Sequence, residues 1–274
     1  MVENPAVQQH SRTLTCGELS WLEAGSGEAI VFLHGIGSAA RSFKAQLEGL
    51  SARRRTLAWD MPGYGSSAGF SEDAPDVAAY ADVAAEWLET LAIGSCHVVG
   101  HSLGSLVAAR FAAAHPERIL TLTLASCALG HARLPETERS RLLASRIDDV
   151  RTLGPRGMAE KRGPRLLGPD ASPAAINAVI DVMAAIDPRG YAQAARMLSG
   201  GDMLADLARI PPSIPVQIVY GLADVITPPE VNLRAARTRP AASIATIERA
   251  GHAHYVEASG RFNDIVERFV GATR

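Results

Sequence analysis

The stretch Gly100-His101-Ser102-Leu103-Gly104 lies between a short apolar strand pattern, Cys96-His97-Val98-Val99, and a helix pattern that begins at Leu103. The spacing G-x-S-x-G between a strand and a helix predicts a nucleophile elbow, a sharp turn that exposes a serine hydroxyl. Glycine at both flanking positions has a steric reason, since side chains there would collide with the adjoining strand or helix. The pentapeptide therefore predicts a nucleophilic serine at position 102.

Length and composition are those of a globular chain with enough apolar material for a large core. The chain has 274 residues, of which 47% are hydrophobic and 20% charged, and its formal net charge is −2. This balance gives no reason to expect nucleic acid or a membrane as a partner. No apolar run approaches the ~20 residues of a spanning helix, and no secretory signal pattern is visible. We therefore expect a cytoplasmic protein that acts on a small-molecule substrate.

Short apolar runs alternate with helical patterns along much of the chain. Ala29–Leu33, Thr56–Trp59 and Ile119–Ala125 are predicted strands, together with the strand before the elbow, and residues 216–220 resume the pattern. Strands that are apolar throughout and alternate with helices indicate a mostly parallel sheet covered on both faces. The predicted class is therefore α/β, with a mostly parallel central sheet flanked by helices.

The N-terminal residues carry a weaker signal. Thr13–Thr15 and Ser20–Leu22 are expected to form two short leading strands. Residues 1–12 have little apolar content and are expected to be a loose tail.

The alternation stops near Leu129, and the following residues show only helical patterns broken by Gly-Pro and Asp-Pro pairs. We expect an all-helical insertion after the sixth strand. The predicted division is a core of residues 1–128 and 213–274 and a helical cap of residues 129–212.

A catalytic serine needs a base, and the base needs an acid that orients it. In an α/β sheet, catalytic groups gather at the carboxyl ends of the parallel strands. His252 and His254 follow the last strand pattern, Ser243–Ile247, and Asp224 follows the strand at 216–220. The chain order is thus Ser102, then Asp224, then a histidine. Two other acids are less favoured because they precede that strand, Asp202 and Asp206.

Together with two glycine-containing loops, this order resembles the α/β-hydrolase superfamily. The loops are His34-Gly35-Ile36-Gly37 and Asp60-Met61-Pro62-Gly63-Tyr64-Gly65-Ser66, each directly after a predicted strand. The resemblance covers roughly residues 13–128 and 213–272. It implies an α/β-hydrolase fold in which the inserted helices form a cap over the site.

The resemblance also implies a role for each matching residue. Ser102 would be the nucleophile, His252 the general base and acid, and Asp224 the acid that fixes the imidazole tautomer. The backbone N–H groups of Ile36 and Leu103 would form the oxyanion hole. The first loop supplies two candidate substrate contacts, His34 and Gly35.

Two further histidines lie close to these positions in the sequence. The family pattern of glycine directly before the base favours His252 over His254. His101, inside the elbow, is expected to pack against its neighbours rather than to react.

The predicted cap carries an excess of positive charge. The segment His131–Arg165 holds eight arginines and Lys161 against five acids, a net charge of +4. Arg162 and Arg165 are candidates for binding a substrate carboxylate, and the alternative is that these arginines lie on solvated helix faces. The cap ends in Asp187-Pro188-Arg189-Gly190-Tyr191-Ala192, followed by Asp202, Leu204, Leu207 and Ile210. This end of the cap resembles that of 3-oxoadipate enol-lactonase-like enzymes and of the meta-cleavage-product hydrolases of aromatic breakdown.

These features predict a hydrolase that cleaves a small carboxylic ester or (enol-)lactone through an acyl-serine intermediate. C–C cleavage of a meta-cleavage product is one alternative, but those enzymes usually have Asn and Trp where this chain has His101 and Ala253. A ligand receptor of this fold with vestigial turnover is another. No metal, nucleotide or flavin signature is present, so no cofactor or metal is expected.

Overall fold

The computed structural model describes residues 5–273, in which one eight-stranded sheet is flanked by helices. The strands are β1 (Gln8–Leu14), β2 (Gly17–Ala24), β3 (Ala29–Leu33), β4 (Arg55–Trp59), β5 (Cys96–His101), β6 (Ile119–Ala125), β7 (Val216–Gly221) and β8 (Ser243–Ile247). The helices are α1 (Lys44–Leu50), α2 (Val77–Thr90), α3 (Leu103–Ala114), α4 (Glu136–Arg162), α5 (Pro173–Met183), α6 (Pro188–Gly200), α7 (Met203–Arg209), α8 (Pro229–Thr238), α9 (His254–Glu257) and α10 (Ser259–Ala272).

The sheet has the strand order β1-β2-β4-β3-β5-β6-β7-β8. The strands from β3 to β8 run parallel to one another, and β2 runs antiparallel to both of its neighbours. The loops after β3, β5, β7 and β8 therefore leave the same edge of the sheet, where ligands bind in open α/β folds. This mostly parallel sheet confirms the predicted α/β class.

The prediction of a loose tail at residues 1–12 is wrong from Gln8 onward, where the first strand begins. β1 begins at Gln8 and pairs with β2 along its whole length, and the His10 ring stacks on Trp21 with ring centroids 5.5 Å apart. Most β1 side chains are exposed and polar, so the strand gives no apolar alternation that a sequence pattern could reveal. Residues 1–4 of the predicted tail lie outside the described residues.

The central strands are buried on both faces, which explains their continuous apolar sequence. In β3, Val31 and Leu33 belong to the core beneath α2 and α3, whereas Ile30 and Phe32 face the core formed with α1 and α10. All four side chains are 1% exposed or less. The two cores hold the strand ends, and therefore the loops that follow them, in fixed positions.

The segment between β6 and β7 is helical, as predicted, and consists of α4 to α7. Gly154 has non-helical angles (φ 67°, ψ 171°) and precedes Pro155, so α4 is two helical pieces that meet at a kink. α6 contacts α4 and α2, whereas α7 packs on α3, beside the sheet. The division into core and cap at residues 129 and 212 stays a prediction, and α7 lies on the core side of the helices that precede it.

None of the helices within residues 5–273 is both long and apolar enough to cross a bilayer.

Candidate active site

The turn at Ser102 has the strained geometry that the elbow sequence predicts. Ser102 joins β5 to α3 with φ 52° and ψ −117°, a conformation that non-glycine residues rarely adopt. A Cβ on Gly104 would lie 2.0 Å from the Leu33 carbonyl oxygen, and a Cβ on Gly100 would lie 2.5 Å from the Gly104 oxygen. Both glycines are therefore required for the close approach of helix and strands around the serine.

The loop after β3 lies against the elbow. Gly35 and Ile36 line the same cavity as Ser102, and a Cβ on Gly35 would lie 2.9 Å from the Ser102 Cβ. The N–H groups of Ile36 and of Leu103, the first residue of α3, donate no hydrogen bond to any group of residues 5–273. Two unused N–H groups beside a serine hydroxyl have the composition of an oxyanion hole.

The side chain of His34, a predicted substrate contact, supports this loop and does not line the cavity. Its ring is fully buried, and Nδ1 lies 2.9 Å from the Gly35 carbonyl oxygen. Nε2 accepts the N–H of Met61 at 3.1 Å, which assigns the proton to Nδ1. Both ring nitrogens are therefore occupied in holding the loop, and only Gly35 of the two predicted contacts reaches the cavity.

His252 and Asp224 meet at the carboxyl ends of β8 and β7. His252 Nδ1 lies 2.9 Å from Asp224 Oδ2, and both side chains are at most 5% exposed. His252 also lines the cavity that contains Ser102. The structure thus gathers Ser102, Asp224 and His252 at one edge of the sheet.

The Asp224 carboxylate is fixed by four hydrogen bonds. Oδ1 accepts the backbone N–H groups of Ile226 and Thr227 at 2.8 and 2.9 Å, and Oδ2 accepts the Thr227 hydroxyl at 2.9 Å as well as His252. Burial alone would raise the pKa of Asp224, but the hydrogen bond and charge of His252 and the two N–H groups hold it well below its ordinary value. The acid is therefore ionised and faces the imidazole Nδ1 with an acceptor.

Thr227 is a site residue that the sequence analysis did not identify. Its hydroxyl lies 3.1 Å from His252 Nδ1 and donates to Asp224, so it touches both members of the pair. A threonine three residues after the acid, in a turn with two prolines, is the only local signal that could have pointed to it.

The alternative base and acids lie elsewhere. His254 is fully buried outside the cavity lining, and neither of its ring nitrogens has a hydrogen-bond partner among residues 5–273. Burial, followed by the charge of His252, lowers the pKa of His254 to about 3, so it is neutral at physiological pH. Asp202 caps α7 and pairs with Arg133, whereas Asp206 pairs with Arg110.

His101 packs beside the base and holds its backbone. Its Nε2 lies 2.9 Å from the His252 carbonyl oxygen, and the two rings are 4.8 Å apart. Burial, followed by the charges of His252 and His254, lowers the pKa of His101 well below its ordinary value. A neutral His101 donates from Nε2 to this carbonyl, which agrees with a packing role.

A cavity of about 670 Å³ lies between these residues and the helices that follow β6. Most of its wall is apolar, contributed by α5, α6 and the loops beneath them. Arg162 lines it but is bound through Nε and Nη2 to Asp149, and Arg165 lines it with an exposed side chain. The apolar wall includes Leu103, Leu129, Val179, Met183, Tyr191 and Leu198.

This fold, with a serine at a strained elbow and a histidine–aspartate pair at neighbouring strand ends, defines a hydrolase of the α/β type. The family described as "Alpha/beta hydrolase family" matches residues 30–265, and the chain belongs to this family. The predicted fold and the prediction of a hydrolytic enzyme are thereby confirmed.

Similar proteins include esterases. The pimeloyl-[acyl-carrier protein] methyl ester esterase of Aeromonas hydrophila is 27% identical over 90% of this chain and 97% of its own length. A thermophilic esterase from Thermogutta terrifontis, solved with malate bound, has a TM-score of 0.86 and 26% identity over 97% of this chain and 99% of that one. The enol-lactonase from Burkholderia xenovorans LB400 has a TM-score of 0.86 at 22% identity over 96% and 100% of the two chains, a likeness of fold alone.

Proposed function

We propose that this chain is a serine hydrolase that cleaves small carboxylic esters or (enol-)lactones through an acyl-serine intermediate. One observation carries the proposal: the 2.9 Å hydrogen bond between His252 and Asp224 on the cavity that Ser102 enters from its elbow. The similarity to esterases from Aeromonas hydrophila and Thermogutta terrifontis supports ester cleavage.

Acylation begins when Ser102 Oγ attacks the acyl carbon and its proton passes to His252 Nε2. The carbonyl electron pair moves to oxygen, and the N–H groups of Ile36 and Leu103 stabilise the resulting oxyanion. Collapse of this adduct breaks the bond to the leaving oxygen, which takes the proton from His252. A simple ester releases an alcohol at this step, whereas a lactone ring opens and its enol or alcohol group stays on the acyl group.

Deacylation repeats these steps with water as the nucleophile. Water attacks the acyl carbon and gives one proton to His252, and the collapse of the second adduct returns that proton to Ser102 Oγ. The net reaction is ester plus water to acid plus alcohol. Asp224 stays ionised throughout, keeps the Nδ1 proton of His252 in place and stabilises the imidazolium formed in each half-reaction.

Hydrolysis of p-nitrophenyl butyrate by wild type, Ser102→Ala and Ser126→Ala tests the proposal. Ser126 is a matched control: it is buried at the end of β6, has φ 45°, and its Oγ has no hydrogen-bond partner within residues 5–273. We expect Ser102→Ala to lose all activity above background and Ser126→Ala to keep it. Full activity of a folded Ser102→Ala protein would refute the proposal, and ester-dependent stabilisation without turnover would indicate a receptor.

A further inference from the structure

The cavity wall has a strong imbalance of charge. Its lining includes six cationic side chains and one carboxylate, that of Glu48. The positive potential of these side chains does not attract a neutral ester, whereas it attracts and holds an anionic ligand. The six cations are Arg41, Lys44, Arg146, Arg162, Arg165 and Arg234.

Three of these cations are already engaged. Arg162 is bound to Asp149, and Arg41 donates to the Asp181 carbonyl oxygen at 2.8 Å. Lys44 and Glu48, both well exposed, form a pair at 3.7 Å. Arg165 and Arg234 have exposed side chains that water can solvate, and neither has a salt-bridge partner within residues 5–273.

Arg146, on α4, is the exception. It is partly buried, and no acid or carbonyl oxygen within residues 5–273 pairs with its guanidinium. Withdrawing a cation from water without a partner costs free energy, which a bound carboxylate would offset through two parallel N–H···O bonds. The guanidinium of Arg146 therefore offers N–H donors to the cavity that no acceptor within residues 5–273 occupies.

The field of Arg146 extends to the loop that forms one side of the predicted oxyanion hole. Burial raises the pKa of Tyr64, and the charge of Arg146 opposes that increase. The Tyr64 hydroxyl lies 3.4 Å from the N–H of Gly37, the residue after Ile36. The same charge adds to burial in lowering the pKa of His131, which lines the cavity. Arg146 lines the same cavity as His131, Gly37 and Ile36, and its charge therefore acts on groups at that cavity.

We propose that Arg146 binds a carboxylate carried on the substrate at the end remote from the scissile ester or lactone bond. The inference rests on the function proposed above and narrows its substrate class to anionic esters and lactones, such as half-esters of dicarboxylic acids. Arg162 keeps Asp149 as its partner, so a substrate carboxylate would have to displace an existing ion pair to reach it.

Two esters of equal length distinguish a preference for anionic substrates from ester hydrolysis in general. They are monomethyl adipate and methyl hexanoate, which differ only in that the first ends in a carboxylate and the second in a methyl group. Turnover is followed by proton release for wild type, Arg146→Gln, Arg146→Lys and Arg141→Gln. Arg141 is the control, since it is an exposed arginine of the same helix outside the cavity lining and removes the same charge.

We expect wild type to prefer monomethyl adipate. Arg146→Gln should lower kcat/KM for that ester roughly 10- to 100-fold, mainly through KM, because one charge-assisted hydrogen-bond pair is lost. Methyl hexanoate should be hydrolysed as before, Arg146→Lys should keep part of the preference, and Arg141→Gln should behave as wild type.

If Arg146→Gln lowers kcat/KM equally for both esters, or for neither, the proposed role of Arg146 is refuted. The wild-type preference is a second test that does not depend on the variant folding: faster turnover of methyl hexanoate would refute an anionic substrate class. The proposed function survives both results if Ser102→Ala abolishes hydrolysis of methyl hexanoate. If wild type cleaves neither ester nor p-nitrophenyl butyrate, the proposed function fails and the carboxylate site fails with it.

Discussion

Exchange of Asp224 for asparagine alters the chemistry of the site with little change of shape. An asparagine whose carbonyl oxygen keeps the N–H groups of Ile226 and Thr227 places its NH2 group where Oδ2 now meets His252 Nδ1 at 2.9 Å. That NH2 group donates to Nδ1, so the proton of the neutral imidazole moves to Nε2. An imidazole protonated at Nε2 cannot take the proton of Ser102, and the first step of the reaction is blocked.

We expect kcat of Asp224→Asn on p-nitrophenyl butyrate to fall by about 10⁴-fold at neutral pH, the loss that this exchange causes in a serine-protease triad. The free energy of unfolding should fall by only about 1.5–3 kcal/mol. The two charge-assisted bonds that Oδ2 accepts, from His252 and from the Thr227 hydroxyl, are replaced by neutral bonds that the NH2 group donates to both partners, and the two backbone bonds remain. Steady-state kinetics and urea unfolding measure the two effects.

Asp202→Asn is the matched control, because Asp202 also accepts a backbone N–H, that of Ala205, and pairs with an arginine. It should lower stability slightly and leave kcat unchanged. A folded Asp224→Asn protein with the kcat of that control would refute the role given to the carboxylate.

Substitutions at Gly104 and His254 and the pH dependence of stability test the surroundings of the site. Gly104→Ala puts a methyl group 2.0 Å from a backbone oxygen of β3, so both Tm and activity should fall, whereas Gly260→Ala, which meets nothing within 4 Å, should leave both intact. His254→Phe should keep the wild-type kcat/KM, and loss of activity would reassign the base. Because the pKa of His254 is lowered to about 3, wild type should lose about 2 kcal/mol from this group between about pH 6.5 and pH 5, as only the unfolded chain takes up the proton. Urea unfolding at both pH values should show that loss reduced in His254→Phe. The depressed pKa of Asp224 contributes stability that is present above about pH 4 and lost below it, so Asp224→Asn should flatten acid unfolding in that range.

Local pattern is enough to predict where the central elements of this fold lie. Ser102 is recognisable because strand, turn glycines and helix succeed one another within a few residues. Asp224 and His252 could be placed at the same sheet edge because parallel strands bring their carboxyl ends together, although they are far from Ser102 in sequence.

The features that sequence reasoning missed depend on tertiary neighbours. β1 has polar, exposed side chains, and its pairing with β2 comes from backbone hydrogen bonds that leave no periodic apolar signal. The local sequence does not distinguish Arg146 from Arg162. Arg162 pairs with Asp149 across the kink at Gly154, whereas Arg146 pairs with no acid in the part of the chain that the structure describes. Which arginine of a basic segment is left without a partner is decided only when the helices are packed.

Acylation of Ser102 can be tested by trapping the acyl-enzyme intermediate. Wild-type protein is mixed with p-nitrophenyl butyrate, quenched in acid within the first turnovers, digested and analysed by mass spectrometry. We expect a butyryl group on the peptide that contains Gly100-His101-Ser102-Leu103-Gly104, with fragment ions that place it on Ser102, and none in Ser102→Ala. A butyryl group on another residue, with turnover unchanged in Ser102→Ala, would show that Ser102 is not the nucleophile.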